Sequence, residues 1–179
     1  MDRSFLMKNP KLTLVLMAGL PGAGKSTLAS ELGRELNWHV IDKDQHKEVL
    51  LKQGIEEEKA GHATYELAFS TARGSLAKQR ASIILDSAAL HPFILTSAQR
   101  IVHGIQGAQL KIILCVADRI TRDERLRNRP YQLTKIKVNP ETIPDYLQLF
   151  GHLPPDKLTL YTIDPLDSYL DVAKKYVVG

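Results

Sequence analysis

The sequence predicts an α/β protein with three layers, in which helices cover both faces of a five-stranded, mostly parallel sheet. Apolar runs of strand length alternate along the chain with amphipathic stripes of helical spacing, an order typical of right-handed crossovers between parallel strands. The first run, residues 12–18, is apolar throughout, as expected for a parallel strand buried on both faces. A length of 179 residues suits one domain with a sizeable core, so we predict a single domain over 1–179.

Each element follows from its own local pattern. Strands are predicted where short apolar runs end in polar or turn residues, at 12–18, 39–42, 82–86, 110–117 and 158–164. Helices are predicted where apolar residues recur every three or four positions, at 25–36, 45–53, 61–79, 92–102, 118–129, 142–150 and 166–177. Residues 1–11 are predicted to be a polar lead-in, and residues 56–59 a charged connector.

A glycine-rich loop joins the first strand to the first helix and fits the phosphate-binding pattern G-x-x-x-x-G-K-[ST] at every fixed position. Glycine lets the backbone approach a ligand closely, and the N–H groups of the loop and of the helix N-terminus then point at an anion. Lys25 adds a charge for the β- and γ-phosphates, and the Ser26 hydroxyl can ligate Mg²⁺. ATP and Mg²⁺ are therefore the predicted cofactors. The predicted binding residues are Gly19, Leu20, Pro21, Gly22, Ala23, Gly24, Lys25, Ser26 and Thr27.

Several acids follow or end the predicted strands, at the sheet edge where open α/β sheets bind ligands. Asp86 ends the third strand, where an acid can lie near Mg²⁺, although a cap or turn residue is the alternative. Asp42 and Asp44 lie at the end of the second strand, near the expected position of an acceptor hydroxyl. One of them can be a turn residue, and Asp44 can cap a helix from Gln45. Lys47, one turn later, can contact a charged acceptor. The acids selected by this rule are Asp44, Asp86, Asp118 and Asp164.

Arginines dominate the predicted helix after the fourth strand. Arg119, Arg122, Arg125 and Arg129 recur at steps of three and four, which places them on one broad helical face. Guanidinium groups that close over a phosphoryl group stabilise the charge of its transfer, so we predict a lid over residues 118–138. A nonspecific basic surface is the alternative.

Composition limits the class of partner. The net charge of +4 is mild for an obligate nucleic-acid binder.

Cys115, the one cysteine, lies within an apolar run and is interpreted as a buried core thiol. No stretch is long enough to span a bilayer, so no membrane partner is expected and the cytoplasm is the expected location. His62, His91, His103 and His152 show no spacing typical of metal ligands, and we interpret them as structural or surface residues.

Four segments, GLPGAGKST, VIDKD, IILDSA and DRITRDERLRNR, together resemble the small P-loop kinases. This group includes polynucleotide 5′-hydroxyl kinases, zeta-type toxin kinases and chloramphenicol phosphotransferase. The resemblance implies transfer of the γ-phosphoryl group of ATP to a hydroxyl of an unidentified acceptor, either a small molecule or a nucleic-acid end. It also implies that Asp44 deprotonates that hydroxyl and that the arginine helix is the lid. Related kinases often carry arginine where this chain has Lys47, and lysine lacks the bidentate contact, so a nucleic-acid acceptor is not required.

Two other function classes stay open at this point. A module that binds nucleotide without turnover needs the same Lys25 and Ser26. A GTPase-type switch is disfavoured because no Asn-Lys-x-Asp motif follows the fourth strand, where residues 116–119 read VADR.

Overall fold

The computed structural model describes residues 11–128 and 146–179. Within them, five parallel strands form one sheet in the order β2–β3–β1–β4–β5. The strands are β1 (Leu12–Ala18), β2 (His39–Asp42), β3 (Ile83–Asp86), β4 (Ala108–Val116) and β5 (Leu158–Tyr161). The helices are α1 (Lys25–Leu36), α2 (Lys43–Lys52), α3 (Glu57–Gly74), α4 (Pro92–His103), α5 (Arg119–Arg127), α6 (Tyr146–Phe150) and α7 (Asp167–Val178). A π-helical turn, Ser75–Gln79, continues α3. The predicted fold class is confirmed.

The hydrophobic core is divided by the sheet into two clusters. Successive side chains of β1 point to opposite faces, so Val15 joins one cluster and Leu14 the other. The first cluster packs α1 and α7 against the sheet, whereas the second packs α3 and α4 against the opposite face. Helices on both faces give the three predicted layers, and β1 lies at their centre between β3 and β4.

Several predicted boundaries differ from the observed ones, most clearly at α3, α2 and β5. The segment 56–59 is not a connector, because α3 begins at Glu57 and its acidic residues occupy a helical first turn, where negative charge is favourable. Helix α2 begins at Lys43 rather than at residue 45, because the Asp42 carboxylate caps it. Strand β5 ends at Tyr161 rather than at residue 164.

Some predicted segments lie outside the described residues. These are most of the lead-in, residues 129–138 of the predicted lid with Arg129, and the start of the predicted helix at 142–150. Among the helices that the structure describes, none combines the length and the apolar character needed to cross a bilayer.

The start of β2 depends on a close approach between α1 and that strand. Asn37 ends α1 in the left-handed region, with φ 53°, a conformation that asparagine tolerates better than most residues. The chain then turns back over Gly33, where a Cβ would lie 2.5 Å from Val40 Cγ2 and 2.9 Å from the Trp38 carbonyl oxygen. Glycine at residue 33 therefore lets β2 carry its acidic end beside the phosphate loop.

We expect Gly33→Ala to destabilise the protein by about 1–3 kcal/mol, because overpacking outweighs the better helix propensity of alanine. Gly61→Ala in α3 is the matched control. A Cβ at that position meets nothing within 4 Å, so this variant should gain about 0.5–1 kcal/mol. Urea unfolding of both variants measures the two changes in the free energy of unfolding. Equal gains would show that β2 leaves room for a methyl group at residue 33.

Candidate active site

The phosphate loop is a backbone surface whose shape depends on glycine. At Gly19, with φ 138°, a Cβ would lie 2.5 Å from the Cys115 carbonyl oxygen of β4. At Gly22, with φ 80°, a Cβ would lie 2.7 Å from the Arg122 carbonyl oxygen of α5. Both positions need a positive φ and space for close backbone contact, which glycine alone combines. Gly24 precedes α1 and no side chain caps that helix, so its first N–H groups are available to an anion.

Lys25 and Asp86 bring opposite charges to the end of the loop. The Lys25 ammonium group donates to the Leu20 carbonyl oxygen at 3.1 Å, within its own loop. Asp86 is 7% exposed. Burial raises the pKa of the Asp86 carboxyl, while the Lys25 charge and a hydrogen bond with the Ser26 side chain oppose that shift. The predicted neighbourhood of loop and acid is therefore present in the structure.

Ser26 and Asp86 offer a hydroxyl and a carboxylate side by side, and these hard oxygen donors suit Mg²⁺. No group of three or more metal-binding side chains occurs in residues 11–128 and 146–179. Magnesium usually takes one or two carboxylates and completes its coordination with water and substrate phosphates, so this small donor set fits it. Burial disfavours the charged form of the Asp86 carboxyl, and a bound cation would stabilise that charged form.

Asp42 at the end of β2 and Asp44 in the first turn of α2 have different environments. Asp42 Oδ1 accepts hydrogen bonds from the backbone N–H of Asp44 at 2.9 Å and of Gln45 at 3.1 Å. Asp42 is thus the helix cap, and the alternative in which Asp44 caps from Gln45 is wrong. Asp44 lies in the first turn of α2 with its side chain 61% exposed, 3.0 Å from the Lys43 ammonium. Both negative charges contribute to the raised pKa of Asp86, so the three carboxylates share one edge of the sheet.

Lys47 is engaged with a carboxylate of α3 in the structure. Its ammonium lies 3.0 Å from the Glu57 carboxylate at the start of α3, and its side chain is 14% exposed. The lysine that we predicted as an acceptor contact thus forms an ion pair between α2 and α3.

The arginines of α5 have three different environments. Arg119 is exposed. Arg122 is buried, and its Nε donates to the Ala117 carbonyl oxygen at 3.2 Å. Arg125 donates from Nη1 to the Gly22 carbonyl oxygen at 3.3 Å and from Nη2 to the Thr162 carbonyl oxygen at 2.5 Å. Helix α5 therefore packs against the phosphate loop, with Arg125 joining the loop to the end of β5.

The other two acids selected from the strand ends do not join this group in the structure. The Asp118 carboxylate caps α5, accepting from the Thr121 N–H at 2.9 Å and from the Thr121 hydroxyl at 2.7 Å. These hydrogen bonds lower the pKa of Asp118. Asp164 is exposed in the turn that follows β5.

Two residues beside the site were not predicted from the sequence. Thr162, which is buried, donates its hydroxyl to the Ala23 carbonyl oxygen at 2.7 Å and so supports the loop from β5. Tyr65 on α3 hydrogen-bonds the Ser87 side chain, and burial raises its pKa to about 12. Tyr65 lies within the helix predicted at 61–79, but no pattern pointed to a place beside the site, and no motif contains Thr162. The prediction for Cys115 is confirmed, because the thiol is buried and burial raises its pKa to about 12.

An open cavity of about 520 Å³ lies between α1 and the β2 edge and reaches the site at Ser26 and Asp86. Asp42, His39 and His46 also line it. Asp44 is not among the lining residues and pairs instead with Lys43. Asp42 therefore borders this cavity, whereas Asp44 does not.

Residues 14–153 match the protein family described as AAA domain. The chain belongs to this family. A search of curated proteins finds no significant match to the sequence.

Solved structures with a similar fold include several kinases. A protein from Chloroflexus aurantiacus J-10-fl, provisionally described as a kinase, is 22% identical, covers 93% of this chain and 96% of its own, and has a TM-score of 0.72. A gluconokinase from Sinorhizobium meliloti 1021 is 14% identical, with coverages of 94% and 91% and a TM-score of 0.64. The Mycobacterium tuberculosis APS kinase, solved with AMPPNP and APS, is 17% identical, with coverages of 95% and 99% and a TM-score of 0.64. The resemblance to small P-loop kinases is thus confirmed for the fold.

We expect Asp86→Asn to stabilise the ligand-free protein at pH 7. The folded state raises the pKa of Asp86, so this carboxyl costs stability from the unfolded pKa upwards, and the cost reaches its full size above the folded pKa. The gain should disappear below about pH 4, where the carboxyl is protonated in both states. The same variant should lose the extra stabilisation that Mg²⁺ adds to AMPPNP binding. Thermal unfolding with and without Mg²⁺ tests both points.

Asp118→Asn is the control, because the folded state shifts the pKa of Asp118 in the direction opposite to that of Asp86. Its folded pKa is lowered, so its charge stabilises the fold at neutral pH and this variant should not gain stability there. A full Mg²⁺ response in Asp86→Asn would contradict the assignment of Asp86 to the metal.

We expect Arg125→Ala to lower the free energy of unfolding by about 1–3 kcal/mol, because two half-buried carbonyl oxygens lose their donor. Arg119→Ala should leave stability unchanged, since Arg119 is exposed. Turnover should fall more than tenfold for at least one of Arg119, Arg122 and Arg125 when each is replaced by alanine. Melting temperature and turnover are measured on the same preparations. A loss of stability identifies an arginine that supports the loop, whereas a loss of turnover at unchanged stability identifies a lid arginine.

Proposed function

We propose that the protein is an ATP-dependent kinase that transfers the γ-phosphoryl group to a hydroxyl of an acceptor molecule. One observation carries this proposal. A phosphate-binding loop, a buried carboxylate beside Ser26, and the exposed carboxylate of Asp44 meet at one edge of the sheet. A nucleotide site needs the first two features, whereas a carboxylate open to a second substrate is what phosphoryl transfer adds.

Each residue has a role in this proposal. The loop N–H groups and Lys25 hold the β- and γ-phosphates, and Ser26 with Asp86 would hold Mg²⁺, which neutralises phosphate charge when bound. Asp44 orients the acceptor hydroxyl and takes its proton as the acceptor oxygen bonds to phosphorus and the bond to ADP breaks. Arg119, Arg122 and Arg125 of α5, the predicted lid arginines, would stabilise the charge of the transferred group.

Similar structures support ATP as the donor and a kinase as the reaction class. The APS kinase was solved with AMPPNP and APS, and a further similar structure, Chaetomium thermophilum Kti12, was solved with ADP-AlF3. The gluconokinase and a sugar kinase from Janibacter share the fold. These proteins accept different substrates, so the acceptor must be found by experiment.

A GTPase-type switch has less support. Its guanine-reading acid would follow β4, where the Asp118 carboxylate is engaged with Thr121 as the cap of α5.

An experiment distinguishes the kinase from a module that binds nucleotide without turnover. The purified protein is incubated with γ-labelled ATP and a pool of metabolites and oligonucleotides, and the position of the label is determined. Labelled product supports the kinase, and tight ATP binding without any transfer supports the module.

We expect Asp44→Asn to lower turnover by roughly 10²–10⁴, the usual contribution of a general base. Nucleotide affinity should survive, because the phosphates contact the loop and Lys25. Stability should change little, since Asp42 and not Asp44 caps α2. Steady-state turnover and calorimetric titration with AMPPNP measure the two quantities.

Two variants serve as controls. Asp42→Asn keeps a good cap and should retain turnover, whereas Lys25→Ala should fold but lose most nucleotide affinity. If Asp42→Asn abolishes turnover while Asp44→Asn behaves as wild type, the base is Asp42. If both keep wild-type turnover with a known acceptor, neither carboxylate acts as the base.

A further inference from the structure

Three rings form a continuous surface, here called the aromatic wall, beside the candidate base. The Tyr65 ring meets the Phe93 ring edge-on, with centroids 5.3 Å apart and planes at 82°. The His91 ring stacks on Phe93, with centroids 6.0 Å apart and planes at 17°. Both geometries are favourable for aromatic pairs. Phe93 is nevertheless 46% exposed, and His91 is exposed as well, so the wall presents ring surface to solvent.

The wall lies on the Asp44 side of the site. Tyr65 hydrogen-bonds Ser87, the residue after Asp86, and the Asp44 charge acts on the Tyr65 hydroxyl. Lys43 connects the two, because its ammonium lies 3.0 Å from the Asp44 carboxylate and 5.0 Å from the Tyr65 ring centroid. An acceptor whose hydroxyl contacts Asp44 would therefore find rings next to it.

Isolated exposed apolar residues are common on protein surfaces. Leu67 on α3 is 48% exposed and needs no explanation. The aromatic wall differs because its rings contact one another and lie at the carboxyl ends of the strands, where α/β sheets bind ligands. A planar group stacked on such a surface gains contact with rings that are already held in place.

The charges near the wall favour an acceptor without strong negative charge. Lys43 pairs with Asp44, and Lys47 pairs with Glu57. An anionic acceptor would have to compete with these carboxylates for both lysines. The neutral Tyr65 hydroxyl, protonated at physiological pH, leaves a surface suited to an uncharged ring.

On this basis we propose that the aromatic wall binds a planar ring of the phosphoryl acceptor, so that the substrate class is a hydroxyl compound carrying an uncharged aromatic or heteroaromatic ring. This inference rests on the proposed kinase function. A free nucleoside or aryl alcohol and the terminal nucleotide of an oligonucleotide share that chemistry, and the experiment distinguishes them.

The test uses pairs of probes with the full-length protein and γ-labelled ATP. Adenosine is compared with methyl riboside, which lacks the ring, and both are compared with gluconate and with a short oligothymidylate bearing a free 5′-hydroxyl. We expect label on ring-bearing probes in preference to ring-free ones. In Phe93→Ala the KM of the best ring-bearing probe should rise about tenfold or more, as typical for lost base stacking, while the KM of ATP stays unchanged.

Matched variants separate stacking from folding. Phe93→Tyr should retain the wild-type KM, and Phe93→Leu should keep an apolar side chain and still lose the preference for the ring. Leu67→Ala, which changes a residue of similar exposure, should have no effect. Preference for the oligonucleotide over adenosine would overturn the inference that the acceptor carries no strong negative charge, because the oligonucleotide is a polyanion.

Two further results overturn the inference in distinguishable ways. If methyl riboside or gluconate is labelled as efficiently as adenosine, or if Phe93→Ala keeps the wild-type KM, the wall does not bind the acceptor while the kinase function stands. If no probe takes label although ATP binds, the proposed function and this inference fail together.

Discussion

Backbone contacts behind the phosphate loop hold it in the shape that an anion requires. The Cys115 carbonyl oxygen of β4 lies against Gly19, and the backbone of Arg122 lies against Gly22. Arg125 and Thr162 donate hydrogen bonds to the loop carbonyl oxygens of Gly22 and Ala23. Carbonyl oxygens engaged in this way point away from the ligand side, which leaves N–H groups to face it. The loop is thus rigid before any nucleotide binds, which lowers the cost of binding.

At the same edge of the sheet, repulsion between carboxylates and the burial of one of them lower the stability of the fold. Asp42, Asp44 and Asp86 lie close enough for their charges to interact, and Asp86 is buried as well. Lys25 and the Ser26 hydroxyl offset only part of this cost, because the pKa of Asp86 remains raised. Functional sites commonly sacrifice stability in this way. A bound cation with nucleotide phosphates would relieve the cost, so the unfavourable carboxylate is itself an argument for a ligand.

Much of the fold could be predicted from local patterns, whereas the failures at the site come from contacts between segments that are distant in sequence. Apolar runs and helical stripes located the strands and most helices, and the glycine motif located the phosphate loop, because each depends on residues close in sequence. The direction of the Arg125 side chain could not be predicted, since its two acceptors lie on distant segments, at Gly22 and Thr162. The place of Tyr65 beside the site could not be predicted for the same reason, because only the packed fold brings it to Ser87.

The cap of α2 gives Asp42 and Asp44 different environments although they are only two residues apart. Asp42 has an extended backbone conformation and lies outside the helix, whereas Asp44 belongs to its first turn. Because α2 begins at Lys43, Asp42 is held as the cap and borders the cavity beside α1. Asp44 then projects towards Lys43 and Tyr65. Had α2 begun at residue 45, Asp44 would have been the cap and its carboxylate would have been engaged with backbone N–H groups. The position of one cap thus leaves Asp44 free of capping bonds and directs it towards the aromatic wall.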